Sequence, residues 1–103
     1  MIIKIAYSPG KGDNLEDLLL RSLVNLMKEE ENGHFPTIEV VSYNEEHYKE
    51  KKDAFQLKAS CGARLTPFCA IYNDDKELIK AFYSEVGECT IHNIIEYLKN
   101  EIL

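Results

Sequence analysis

Ala63-Arg64-Leu65-Thr66-Pro67-Phe68-Cys69-Ala70-Ile71-Tyr72 sets a proline at the threshold of an apolar, aromatic-rich run of strand length. Proline cannot donate to a sheet ladder, so Pro67 belongs at the first residue of that strand or at an edge. A bond that precedes proline is also the one peptide bond that takes the cis form cheaply, and cis prolines mark tight turns. The Thr66-Pro67 step is therefore the expected corner of a functional site.

Working outward, Asn73-Asp74-Asp75-Lys76-Glu77 is turn-forming and too short for a helical crossover, so the run before it and Leu78 to Tyr83 after it pair as an antiparallel hairpin. Thr90 then caps a last helix with Ile91, Ile94, Ile95, Leu98 and finally Ile102 on one face. Upstream, Asn44 caps a charged helix from about Glu46 to Ser60, whose apolar residues are Tyr48, Ala54, Phe55, Leu57, Ala59 and Cys61 and whose inward face is therefore expected to be narrow. Before it, Thr37 to Tyr43 has the β-branched and aromatic enrichment of a strand.

At the amino end, Ile2 to Tyr7 is nearly continuous in apolar residues, as a central strand covered on both faces is. Ser8-Pro9-Gly10-Lys11-Gly12 breaks it. Asp13 or Asn14 caps the first helix, with Glu16 completing a capping box and an apolar stripe of Leu15, Leu18, Leu19, Leu23, Leu26 and Met27 that Leu20 and Val24 widen. Glu29, Glu30 and Glu31 stand at the helix end disfavoured by its dipole, Gly33 supplies the stop, and the chain turns over Asn32 to Pro36. The element order is β-α-β-α-β-β-α in a single domain spanning residues 1–103.

Composition narrows the function classes. The 103 residues carry a formal charge of −6 with a pI near 5.0, which opposes binding to a nucleic-acid backbone. Lys49 to Lys58 holds four lysines among acids and reads as a solvated helix face. No apolar run approaches the ~20 residues of a membrane span, and the amino end lacks the pattern of a secretory leader, so a cytoplasmic protein is expected. Cys61, Cys69 and Cys89 are an odd set at wide spacing, neither a disulfide framework nor a zinc pattern, and no metal or other cofactor is expected.

Gly62-Ala63-Arg64-Leu65-Thr66-Pro67 followed by Phe68-Cys69-Ala70-Ile71-Tyr72, with the hairpin and last helix, resembles the thioredoxin and glutaredoxin superfamily over the entire chain. The resemblance implies a three-layer α/β/α fold: a four-stranded mixed sheet in the order two, one, three, four. The first and third helices would then lie on one face and the second on the other.

Redox-active members carry Cys-x-x-Cys between the first strand and first helix, where the helix dipole favours a thiolate. This chain has Ser8-Pro9-Gly10-Lys11-Gly12-Asp13-Asn14 there, and a serine hydroxyl neither ionises near neutral pH nor forms a disulfide. The resemblance thus implies a domain without dithiol chemistry, a binding or accessory protein. It would meet a protein or peptide partner through Thr66 and Pro67, with Ser8, Pro9, Gly10 and Lys11 facing them. The rival reading is an atypical one-cysteine oxidoreductase or transferase, using Cys61 or Cys89. Cys89, expected to be exposed before the Thr90 cap, has the better claim to reactivity.

Overall fold

Alternation along the strands decides which side of the sheet each residue serves. In β1 (Ile2–Tyr7), Ile3 and Ile5 pack to one side and Ala6 to the other; in β3 (Phe68–Tyr72), Cys69 and Ile71 oppose Phe68 and Ala70 in the same way. The computed structural model describes residues 1–29 and 35–102. It is a mixed α/β fold in which one sheet has helices on both faces. Helix α1 (Leu15–Glu29) and helix α3 (Ile91–Tyr97) cover one face, and helix α2 (Tyr48–Ser60) covers the other.

With β2 (Glu39–Asn44) and β4 (Leu78–Phe82), the sheet runs in the order β2-β1-β3-β4. Strands β1 and β2 are parallel, while β1–β3 and β3–β4 are antiparallel, the last pair with a register shift between Ile71 and Tyr72. The strand ends stand within two residues of those read from sequence. Among the described residues no helix is long and apolar enough to cross a membrane. The expected role of Glu30, Glu31 and Gly33 at the end of α1, and the turn from Asn32, lie outside the described residues, and so does the side chain of Ile102.

Three local expectations are corrected. Asp13 does not share a capping box with Glu16: its carboxylate takes the Leu15 and Ser8 amides, at 3.0 and 3.1 Å, while Glu16 stands against Tyr7. Burial and then that carboxylate push the Tyr7 phenol up to about 12. Asn44 caps the turn before α2 rather than the helix, its Oδ1 accepting from the Glu46 amide at 2.8 Å, and α2 begins after His47.

On α1 the buried line is Leu15, Leu19, Leu23 and Leu26; Leu20, Val24 and Met27 face solvent, because one helix flank holds more apolar residues than its packing surface can take. On α2 the inward face is narrow, as the sequence led one to expect: Ala54, Leu57 and Lys58 turn inward, and Tyr48, Phe55 and Ala59 are exposed.

Candidate functional site

The Ser8–Asn14 loop is set by its own composition. Pro9 opens a single 3-10 turn over Pro9–Lys11, and Gly12, at φ 83°, closes it with its amide on the Pro9 carbonyl at 3.0 Å. Glu46 reaches across to accept the Gly10 amide at 3.0 Å, and a Cβ on Gly10 would meet that carboxylate at 2.5 Å. The Ser8, Gly10 and Leu15 amides are thus all given to carboxylates, so the start of α1 is already occupied by negative charge.

Thr66-Pro67 is a cis peptide, and β3 begins at the next residue. It stands opposite the first loop across an open cleft of about 430 Å³, whose walls include Ser8, Lys11, Thr66, Pro67, Leu18 and Ile91. The structure therefore brings Ser8, Lys11, Thr66 and Pro67 together, with Cys89 in the same wall. Pro9 and Gly10 do not line this cleft, and both are exposed.

Beneath the cleft is a polar cluster that the sequence does not announce. The Ser8 side chain is buried, and its hydroxyl donates to Glu45 Oε2 at 3.3 Å; the Thr66 hydroxyl reaches the same oxygen at 3.4 Å and lies 3.4 Å from Ser8 Oγ. Glu45 Oε1 pairs with Lys58 Nζ, whose side chain is only 11% exposed and which also donates to the Arg64 carbonyl at 3.5 Å. Lys58 is thus a corrected residue: it is not part of a solvated face. Its charge is tolerated because a carboxylate and a carbonyl replace its water.

The loop from Cys61 to Pro67 has irregular backbone, and its amides can be accounted for one by one. Cys61, Gly62 and Ala63 donate back to Lys58 or Ala59 carbonyls at the end of α2. Arg64 and Leu65 donate to the Glu85 carboxylate at 3.4 and 2.9 Å. Pro67 has no N–H. Among the described residues the Thr66 amide alone in this loop has no partner.

Cys89 is not where the sequence reading expected it. It is 7% exposed and belongs to the core under α1 and α3, and burial, with Asp13 adding to it, pushes its thiol up to about 12. A position next to a helix cap fixes the backbone but not which way the residue before the cap turns, and here it turns inward. Cys69, fully buried, is raised well above the ordinary thiol range, again by burial first. Cys61 is half-buried at the end of α2, its thiol 4.0 Å from the Tyr72 hydroxyl. Glu45, Lys58 and Glu85 are the site residues that sequence reasoning missed. Compared with known proteins, the chain matches no family model and no curated protein.

Proposed function

We propose that this chain is a thioredoxin-like domain without the dithiol site, and that it binds an extended peptide segment of another protein at the Thr66-Pro67 corner. The strand order, the placement of the helices on the two faces and the cleft between Thr66-Pro67 and the loop after β1 support the reading. The Ser8–Asn14 loop takes the position at which a redox-active member would carry its two cysteines, and the one cysteine in the cleft wall, Cys89, is a buried thiol from outside that loop. The observation that carries the proposal is the unpartnered Thr66 amide in a loop whose other amides are all engaged. A backbone donor left open beside a cleft suits the main chain of an incoming strand, a mode of recognition that depends on hydrogen bonds more than on side-chain identity. Burial of Cys89 weighs against the one-cysteine enzyme as the rival.

The test is chemical-shift mapping of isotope-labelled protein titrated with a blocked, uncharged serine–alanine peptide. Responses should concentrate at Ser8, Lys11, Thr66 and Ile91, and a Thr66→Arg variant, which fills the cleft, should lose them while keeping its strand resonances. Responses elsewhere on the surface, or an undiminished response in folded Thr66→Arg protein, would overturn the proposal.

A further inference from the structure

Three consecutive side chains at the end of β4 grip the main chain of the corner loop. Tyr83 Oη donates to the Cys61 carbonyl at 2.7 Å, Ser84 Oγ donates to the Pro67 carbonyl at 2.5 Å, and the Glu85 carboxylate accepts from Leu65 and Arg64. These contacts bridge residues 17 to 22 apart in sequence, so they join separate parts of the fold rather than shape a local turn. The gripping residues are themselves fixed. Ser84–Val86 is a 3-10 turn closed by Gly87 at φ 70°, the Gly87 amide returns to the Ser84 carbonyl at 3.0 Å, and the Glu88 amide returns to Tyr83 at 3.0 Å.

We infer that Tyr83, Ser84 and Glu85 form a clasp that positions the corner, with Glu85 as the positioning residue that leaves the Thr66 amide open to an extended peptide. The inference rests on the peptide-binding reading above. Its logic is that side chains bonded to backbone atoms fix a loop's path whatever its own side chains are, and beyond Ala63, the last amide returned to α2, this loop has no ladder or helix to fix it. Glu85 is the member best suited to the role. It chelates two successive amides immediately before Thr66, and those amides hold its carboxyl below the ordinary range, the Leu65 amide most of all. It is also exposed and belongs to neither buried cluster, nor does it line the cleft. Changing it therefore perturbs the corner without opening a cavity in the core.

The test compares wild-type protein with Glu85→Ala, Glu85→Gln and Ser84→Ala. Amide hydrogen exchange would be followed at Arg64, Leu65 and, as a control, Ala70, together with the Thr66 response to the serine–alanine peptide. In Glu85→Ala, exchange at Arg64 and Leu65 should rise about tenfold, as expected for loss of a hydrogen bond to a charged group, with Ala70 unchanged. The Thr66 response should weaken by a similar factor. Glu85→Gln keeps an acceptor oxygen and should recover part of both, which a role in bulk charge would not allow; Ser84→Ala should weaken the response by a smaller factor. A wild-type response at Thr66 that survives undiminished in Glu85→Ala overturns the clasp alone. No response at Thr66 in the wild type overturns the peptide reading, and the clasp's purpose with it, whatever the exchange rates do.

Discussion

The two faces of the sheet are built from different materials. Under α1 and α3 the strands present Ile3, Ile5, Ile71 and Phe82 to four leucines of α1 and to Ile94 and Leu98, a thick aliphatic layer in which each residue has several large neighbours. Under α2 the strands present Ala6 and Ala70, the helix answers with Ala54 and Leu57, and among the described residues Phe68 is the one fully buried large side chain of that face. Small residues keep the second layer thin and let the helix sit close to the sheet. That same layer borders the Glu45–Lys58 pair and the loop that carries Thr66. One face thus supplies bulk stability, and the other trades apolar volume for polar atoms next to the cleft.

The sharpest way to break this comparison is at Phe68, whose ring packs on Tyr83 at 5.5 Å between centroids. Truncating the dominant side chain of a thin layer leaves a void that its fully buried neighbours, all alanines, cannot collapse into, and that the partly exposed tyrosines at its rim fill only by leaving their own contacts. Phe68→Ala should cost about 3–5 kcal/mol by urea denaturation. Leu19→Ala, in the thick layer, should fall in the lower part of the range of about 2–5 kcal/mol because larger side chains can shift toward the space. If Leu19→Ala proves the more damaging, the contrast between the faces is wrong.

A smaller effect is expected at Lys58. Replacing it with Met keeps the stem and removes the charge, leaving Glu45 19% exposed with only two hydroxyls as donors. The loss should be about 2 kcal/mol, less than for a fully buried pair because water reaches part of this one. Adding Glu45→Leu should return some of that stability, since the unpaired charge is then gone. A double variant less stable than Lys58→Met would show that the carboxylate is needed for the Ser8 and Thr66 hydroxyls more than for the lysine.

Much of the architecture could be read in advance because it is written in local patterns. The apolar run of β1, the short turn between β3 and β4, and Thr90 as a cap, which accepts the Asn93 amide at 3.2 Å, each depend on neighbours in sequence. Ser8, Thr66 and Pro67 were expected to face one another on the strength of the resemblance, and they line one cleft. Glu45, Lys58 and Glu85 were not legible in this way, because each acquires its role from a partner on another element. Lys58 in particular looks like any other lysine of a charged helix until Glu45 is folded against it. Cys89 failed for a related reason: the sequence places it before a cap, and only the packing of α3 on α1 turns it inward.

The surface of α2 offers the smallest expected effect and the cleanest check on how its packing face was chosen. Hydropathy alone nominates Tyr48 and Phe55, yet they are 95% and 66% exposed, while Ala54, Leu57 and Lys58 fall at positions three and four apart and turn toward the sheet. Helical geometry outranks side-chain size here, because the inward line must be continuous along one side of the helix and neither aromatic lies on it. Tyr48→Ser and Phe55→Ser should therefore each change stability by less than about 0.5 kcal/mol, as ordinary surface substitutions do. A loss of several times that amount in either variant, measured by the same urea transitions, would mean that α2 packs through its aromatics and that the thin face is thicker than described.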